Sequence, residues 1–291
     1  MIRSVGVSSL LASAPESVVV VFALLTQLGD AWFIFVAFSL LYWFAPEWMT
    51  TDRRRDGALL VALALCALAV TVGLKSVFAL PRPPGAADAV PPAWLPNAFV
   101  VVYADLATGD GFGFPSGHAI GTTVAYGGAA VLLDAFDRRR RLLVAGGAVA
   151  VVGLSRVVLG VHYLADVVVG VAVGVALVVG VLRATDDPEG AFIIAAALGI
   201  LAAVAAAVRG SPGAAREAAA ADGGGLGGRV AWRYARSEAT VPAVVAAVAL
   251  VVCGGLWGFA YALDPPLAVV VVVDAISVGG ILGLPWLVAR L

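Results

Sequence analysis

Apolar runs separated by short polar segments make up most of the chain. Runs of about 20 apolar residues are long enough to span a bilayer, where a helix satisfies its backbone polar groups internally. The pattern therefore predicts an all-α fold: a polytopic transmembrane helical bundle with a six-helix core and about three additional C-terminal helices. The first run is short enough to be either a thin span or an interfacial helix. The predicted helices cover residues 15–28, 30–45, 57–80, 118–133, 142–159, 162–182, 190–208, 241–263 and 267–288.

The composition narrows the protein class further. With 62% hydrophobic and 13% charged residues and a mean hydropathy of +1.02, the chain is not a soluble globular protein. A net charge of −1 indicates no nucleic-acid partner. Cys66 and Cys253 lie inside apolar runs and are predicted to be core residues without a disulfide framework. The amino terminus carries Arg3 but no small-residue cleavage site, so a cleaved signal peptide is not expected.

Arginine clusters indicate the orientation of the bundle. Arg53–Arg55, Arg138–Arg141 and Arg183 are separated by even numbers of predicted spans and therefore lie on one face. The positive-inside rule assigns that face to the cytoplasm and the loop 81–115 to the outside. Residues 209–240 are predicted to be a polar loop containing a flexible glycine linker. Simple alternation places this arginine-containing loop outside, which conflicts with the same rule.

Residue types suited to chemistry occur where three apolar runs end. The chain has two histidines and a single lysine. Lys75 lies near the end of one run, His118 begins another, and His162 and Asp166 lie at the junction of two more. A charged residue inside a bilayer is costly, so its presence there points to a function. The orientation argument brings these three segments to the same membrane face.

Three cations accompany the histidines: Lys75, Arg82 and Arg156. Ser116 and Gly117 stand at the start of a predicted helix, whose amino end attracts anions. A helix amino end, three cations and a hydroxyl together suit a dianionic tetrahedral group, and phosphate fits best. Alternatively, Ser116 is only the N-cap of its helix.

The two histidines can divide a phosphoryl transfer between them. If the helix begins at His162, Asp166 shares its face and can hold one ring proton, which leaves the other nitrogen nucleophilic. His118 then suits the proton donor to the leaving oxygen, and a bell-shaped pH profile is expected. In the alternative interpretation, His162 and Asp166 merely satisfy each other at a helix end.

The motifs, taken together, resemble the type 2 phosphatidic acid phosphatase and vanadium haloperoxidase superfamily, membrane branch. Six residues separate Lys75 from Arg82-Pro83, Pro-Ser-Gly-His ends at His118, and five residues separate Arg156 from His162, with Asp166 four positions later. The resemblance covers about residues 15–183. It implies a phosphatase core over residues 1–185, an additional membrane region over 186–291, and a catalytic pocket at the extracytoplasmic face.

The resemblance also implies the roles of the site residues. His162 would be the nucleophile, His118 the general acid and Asp166 the orienting partner of His162. The phosphatase branch needs no metal or other cofactor, whereas the peroxidase branch holds vanadate in the same pocket. The implied phosphate-binding residues are Lys75, Arg82, Ser116, Gly117 and Arg156.

Several functions are compatible with these motifs. The first is a multi-pass cell-membrane phosphatase that hydrolyses a lipid phosphate or an isoprenoid (di)phosphate through a phosphohistidine. The second is a phosphotransferase that passes the phosphoryl group to a lipid or sugar alcohol. A haloperoxidase or a transporter using the same charges as a polar pathway is disfavoured by the spans and by the complete motifs. The expected partners are the bilayer and the lipid substrate, and the sequence does not indicate an oligomeric state.

Asp274, an acid inside a late span, is interpreted as a bundle-facing polar contact.

Overall fold

The computed structural model describes residues 15–290, so the prediction that depends on Arg3 lies outside it. The described chain is all-α, as predicted, with eleven α-helices, one 3-10 turn and no strand within those residues. The helices are α1 Glu16–Leu25, α2 Ala31–Phe44, α3 Arg53–Phe78, α4 Asn97–Ala107, α5 Gly117–Leu132, α6 Arg138–Val158, α7 Leu164–Ala184, α8 Pro188–Val208, α9 Pro212–Tyr234, α10 Ala243–Leu263 and α11 Leu267–Val288. The 3-10 turn covers Thr26–Gly29, between α1 and α2.

Five helices, α3, α6, α7, α8 and α11, are long and apolar enough to cross a membrane. The pair α1 and α2 qualifies as a sixth span if its 48° bend is counted as one broken crossing. The break occurs at Asp30, whose extended backbone ends the 3-10 turn and whose side chain accepts a bond from Trp32 N at the start of α2. This capping contact fixes the position of Asp30 between the two helices.

Helix α3 forms the centre of the bundle. It begins after Asp52, whose carboxylate accepts a hydrogen bond from Arg55 N, and it packs against α2, α5, α8 and α9. Leu59, Leu60 and Leu63 have no solvent exposure, in keeping with a helix that is apolar around most of its circumference. The helix ends at Ala79, which takes the left-handed conformation that closes many helices. Lys75 therefore lies in the last turn of a helix that is packed against its neighbours along most of its length.

The prediction of a polar loop with a flexible glycine linker at 209–240 is wrong for residues 212–234, which form α9. This helix packs between α8 and α11 and also contacts α3. A Cβ on Gly223 would collide with the backbone of Val271, and one on Gly227 with the backbone of Ala275. Glycine is a poor helix former in water, but here its missing side chain lets two helix backbones approach closely.

The direction of α9 removes the conflict in the arginine pattern for Arg229 and Arg233, whereas Arg209 and Arg216 lie at the opposite ends of α8 and α9. Glu189, at the start of α8, accepts bonds from Arg229 at 3.2 Å and from Arg233 at 3.1 Å. At the same end, Arg55 Nε donates to Asp186 O at 3.1 Å. The arginines near the carboxyl end of α9 therefore lie at the same end of the bundle as those at the start of α3.

A proline inside α11 connects this helix to α2. Pro285 has no N–H, so it cannot donate to the carbonyl of Ile281 one turn earlier. Trp43 Nε1 donates to that carbonyl at 2.9 Å, and the hydroxyl of Tyr42 donates to Leu282 O at 2.8 Å. The last helix is therefore joined to one of the first by hydrogen bonds buried among apolar side chains.

Most other predictions about the interior are confirmed. Cys66 and Cys253 are buried and free. A Cβ on Gly170 would lie 2.8 Å from Ser116 O, and one on Gly174 would lie 2.6 Å from Thr123 Cβ, so both glycines permit close contact between α7 and α5. Asp274 is buried and faces the bundle, but its Oδ2 has no hydrogen-bond partner among the described residues, so the predicted polar contact is not seen there.

Candidate active site

The three motif segments meet at one end of the bundle. Lys75 is in the last turn of α3 and Arg156 in the last turn of α6, while His118 and Asp166 are in the first turns of α5 and α7. Contacts bring these helix ends together: the amino end of α5 lies against the carboxyl end of α3, and Ser116 N donates to Asp166 O at the amino end of α7. The predicted site residues, remote in sequence, therefore surround one region.

The turn between α6 and α7 brings His162 back over Arg156. Gly160 has φ of +69°, a left-handed conformation that glycine adopts without strain. The amides of Val161 and His162 both donate to Arg156 O at 3.2 Å, which closes the turn. His162 is 2% exposed and Arg156 is 4% exposed. A histidine and an arginine are therefore held side by side away from bulk water.

The contacts of the His162 ring assign its tautomer. Arg82 Nη1 lies 3.0 Å from His162 Nε2, and a guanidinium can only donate, so Nε2 is the acceptor and carries a lone pair. Arg82 also donates to Val161 O at 3.0 Å and to Asp110 O at 2.8 Å, which hold its side chain in place. The ring proton is therefore on Nδ1, and Nε2 faces the cationic side of the site.

Burial lowers the pKa of His162 from 6.5 to about 3. Loss of hydration is the largest cause; the Asp166 carboxylate, 3.5 Å from Nδ1, opposes it, and the positive charges of Arg82 and Arg156 reinforce it. The imidazole is therefore neutral at physiological pH, which is the form that can act as a nucleophile.

Asp166 joins the second and third motifs. Its Oδ2 lies 3.5 Å from His162 Nδ1 and accepts a hydrogen bond from Tyr163 N at 3.0 Å. Its backbone carbonyl accepts from Ser116 N at 3.0 Å. His162 precedes the first residue of α7, so the pair does not lie on one helical face as predicted. The amino-terminal turn of α7 brings the two side chains together instead.

Ser116 stands at the N-cap of α5, but its hydroxyl does not cap the helix. The Oγ atom is buried and has no hydrogen-bond partner among residues 15–290. The interpretation of Ser116 as only a capping residue is therefore not supported. A Cβ on Gly117 would lie 2.8 Å from Thr71 Cγ2 and 3.9 Å from Lys75 Nζ, so glycine leaves the space between α5 and the lysine clear.

The cations cluster around the first histidine. The side chains of Arg156, Lys75 and Arg82 all interact electrostatically with His118, as does His162. Arg156 Nη1 donates to Thr26 Oγ1 at 3.1 Å, while its buried Nε has no hydrogen-bond partner within the described chain. The structure therefore brings together all eight residues that the motifs predicted: Lys75, Arg82, Ser116, Gly117, His118, Arg156, His162 and Asp166.

Three residues near the site were not predicted. Asp30 Oδ2 lies 3.7 Å from His118 Nε2, Thr26 binds Arg156 as described, and Glu217 of α9 interacts electrostatically with Lys75. Asp30 had a recognisable signal, because it is an acid between two apolar runs. Glu217 has none, because the sequence pattern predicts a polar loop around it.

A cavity of about 240 Å³ opens beside His118. Its polar lining includes Asp30, Glu217 and Thr71, and no Lys or Arg is among the described residues that surround it. Its apolar lining comes from α2 and α3: Ala31, Ile34, Phe35, Ala64, Ala67 and Leu68. The cavity continues from His118 into the apolar part of the bundle.

Comparison with known proteins gives one match. Residues 56–189 match the family model of the PAP2 superfamily. No curated protein and no solved structure matches the chain. The matched range contains all eight predicted site residues, whereas Thr26, Asp30 and Glu217 lie outside it.

Proposed function

Residues 56–189 belong to the PAP2 superfamily, and from that premise we propose that the protein is an integral membrane phosphatase acting on a lipid phosphate or isoprenoid (di)phosphate. Membership of this superfamily supports phosphatase-type activity in general. The observation that carries the finer proposal is the 3.0 Å contact between Arg82 Nη1 and His162 Nε2. It puts an unprotonated nitrogen directly beside a cation suited to a phosphoryl oxygen.

In the proposed first step, Arg82 Nη1 shifts its hydrogen bond from His162 Nε2 to a phosphoryl oxygen, which frees the Nε2 lone pair. Nε2 then attacks phosphorus and the bond from phosphorus to the leaving oxygen breaks. His118 must carry a proton for this step; burial and the neighbouring cations lower its pKa, and the negative charge of a bound phosphate would oppose them. His118 transfers that proton to the departing oxygen, and Asp166 stabilises the positive charge that develops on the His162 ring. Lys75, Arg82 and the amino end of α5 stabilise the charge on the phosphoryl oxygens. The products are a free alcohol and a phosphohistidine.

In the second step, His118, now neutral, removes a proton from water as the water oxygen attacks phosphorus. The bond from phosphorus to Nε2 breaks, inorganic phosphate is released and His162 returns to its starting form. Both steps are in-line displacements at phosphorus. Only His162 forms a covalent bond to the substrate, and the other residues position groups, transfer protons or stabilise charge.

The proposed location is the cell membrane, with the site outside the cytoplasm. Support comes from the arginine distribution, since the end of the bundle opposite the site carries Arg53–Arg55, Arg138–Arg141 and the α9 arginines Arg229 and Arg233. By the positive-inside rule that end faces the cytoplasm. A lipid substrate would then reach the site from the outer leaflet and keep its tails in the bilayer.

The test is phosphate release from a panel of phosphatidic acid, phosphatidylglycerophosphate and polyprenyl diphosphates by purified protein in detergent with a chelator present. We expect release without divalent metal and its loss in His162→Ala. His118→Ala should still form an acid-labile phosphoenzyme from p-nitrophenyl phosphate, whose leaving group needs no proton. Metal-dependent release that survives His162→Ala would refute the mechanism, and transfer to an added alcohol without free phosphate would identify a phosphotransferase.

A further inference from the structure

The cavity beside His118 differs in charge from the rest of the site. Lys75, Arg82 and Arg156 cluster with His162, where the phosphoryl group would bind, and none of them lines the cavity. The cavity contains two carboxylates instead, from Asp30 and Glu217. The site therefore has a cationic half and an acidic half, with His118 between them. The two halves interact: Asp30 acts electrostatically on Arg156, and Glu217 on Lys75.

The in-line geometry of the proposed reaction assigns a role to each half. The nucleophile and the leaving oxygen lie on opposite sides of phosphorus, so a leaving group opposite His162 Nε2 departs towards His118 and its cavity. Asp30 Oδ2 lies 3.7 Å from His118 Nε2, so its carboxylate is close to any oxygen that this histidine protonates. The acidic half is therefore the leaving-group side.

The lower part of the cavity is apolar. Along α3 its lining runs from Thr71 to Ala64, and Ala64 lies eleven residues before Lys75. At 1.5 Å per residue this is about 16 Å below the lysine. Such a space suits a hydrocarbon chain that points from the catalytic level into the bilayer.

We propose that this cavity is the leaving-group subsite and that Asp30 and Glu217 make the enzyme selective for phosphate monoesters of lipid alcohols over diphosphates. A monoester releases an alcohol, which is neutral once His118 has protonated it. A diphosphate releases a phosphate monoester with a charge of roughly −1.5 to −2, which two nearby carboxylates repel. The inference depends on the proposed function and chooses between the substrate classes left open there.

Glu217 also gives the C-terminal helices a part in catalysis. It belongs to α9, outside the matched range 56–189, lines the cavity and interacts electrostatically with Lys75 of α3. Asp30 likewise lies outside that range. The selectivity therefore originates in segments that the superfamily motifs do not include.

The experiment compares two substrates with the same tail, farnesyl monophosphate and farnesyl diphosphate, so that hydrocarbon binding cancels. Wild-type protein should show the higher kcat/KM for the monophosphate. Glu217→Gln should raise the ratio of diphosphate to monophosphate kcat/KM by about tenfold, the effect of one screened charge pair, and Asp30→Asn should raise it in the same direction. Glu238→Gln, the same substitution on an exposed residue at the opposite end of the bundle, should leave the ratio unchanged.

Two outcomes overturn the inference: a wild-type enzyme that prefers the diphosphate, or a ratio that neither substitution alters. If Glu217 only balances the charge of Lys75, both esters change by the same factor and the ratio stays constant. Hydrolysis of neither ester would refute the proposed function instead. In that case, the ratio of Kd values for the two esters, measured by thermal stabilisation with and without Glu217→Gln, still decides whether the cavity selects against negative charge.

Discussion

Arg82 Nη1 donates a hydrogen bond to His162 Nε2 at 3.0 Å, joining two residues eighty positions apart in the chain. The contact shows which ring nitrogen is unprotonated and directs it towards the cations. Arg82 itself is held by the carbonyls of Val161 and Asp110. A phosphoryl oxygen that binds Arg82 would therefore arrive beside the nitrogen that we propose as the nucleophile.

Replacing Arg82 by lysine tests this relationship. Lysine keeps the charge but loses the planar fork that reaches the ring, the Val161 carbonyl and the Asp110 carbonyl together. We expect kcat/KM for phosphate release to fall by about 100-fold. Arg139→Lys, on an exposed residue at the other end of the bundle, is the control and should change it less than twofold. A similar small effect at Arg82 would mean that its contact with His162 has no catalytic role.

Substituting Asp166 by asparagine tests the assigned tautomer. The amide can present an N–H to Nδ1, which moves the ring proton to Nε2 and blocks attack; we expect a loss in kcat of about 10³- to 10⁴-fold. The measurement is rapid-quench formation of the phosphoenzyme, which should slow by the same factor. Asp137→Asn is a matched control, because Asp137 also accepts a bond from a backbone N–H at a helix start but lies far from the site. Unchanged phosphoenzyme formation in Asp166→Asn would contradict the tautomer.

The depressed pKa of His162 predicts how acid affects stability. In the folded protein this pKa is about 3, whereas in the unfolded chain it is near 6.5, so between these values only the unfolded state binds the proton. The contribution of His162 to stability is therefore present above pH 6.5 and is lost as the pH falls towards 3. At pH 4 the loss is on the order of 3 kcal/mol.

The check is the difference in thermal unfolding midpoint between wild type and His162→Gln, followed by tryptophan fluorescence in detergent. The difference should move against wild type as the pH is lowered from 7 to 4, since glutamine does not titrate. A difference that stays constant across this range would show that the imidazole is not desolvated as described.

The glycine face of α9 predicts a packing defect. A Cβ on Gly227 would collide with the backbone of Ala275, whereas one on Gly213, in the same helix, would meet nothing within 4 Å. Gly227→Ala should therefore destabilise the bundle by about 1–3 kcal/mol, as overpacking does, while Gly213→Ala should stabilise it slightly. Thermal unfolding of the two variants provides the comparison. Equal midpoints would mean that α9 and α11 are not in close contact.

The proposed orientation can be tested by labelling. The two native cysteines are buried, so an impermeant maleimide should react poorly with the unmodified chain. Asp88→Cys, in the exposed loop after α3, should be labelled in intact cells, and Arg139→Cys should be labelled only after lysis. The reverse pattern would put the site on the cytoplasmic side.

Much of the architecture could be predicted because membrane spans are a property of local composition. The predicted end of α11 at residue 288 matches the structure, and the other predicted helices agree within about four residues at each end. Of the nine predicted spans, five are long and apolar enough to cross a membrane within the described residues, or six if the bent pair α1 and α2 is one of them. The motif residues were also predictable, because Lys75, His118 and His162 are rare residue types at the ends of apolar runs. When spans alternate in direction, the membrane face on which each helix end lies can be predicted without knowing how the helices pack.

Other features could not be predicted because they depend on contacts between remote segments. The glycines of α9 disfavour a helix in isolation, and only close packing against α8 and α11 makes them suitable. Asp30 and Glu217 gain significance only once α2 and α9 are known to enclose the cavity beside His118. The sequence likewise suggested that His162 and Asp166 share a helical face, whereas a turn before α7 joins them.

The bonds from Tyr42 and Trp43 to the carbonyls around Pro285 have a consequence for biosynthesis. A ribosome releases α2 into the membrane long before α11, so the side chains of Tyr42 and Trp43 can form these hydrogen bonds only after the final span is inserted. The carbonyl of Ile281, which has no N–H donor at Pro285, is likewise unpaired until α11 packs against α2. We therefore expect the bundle to close as a late event, with catalytic competence gained only when synthesis of the chain is almost complete.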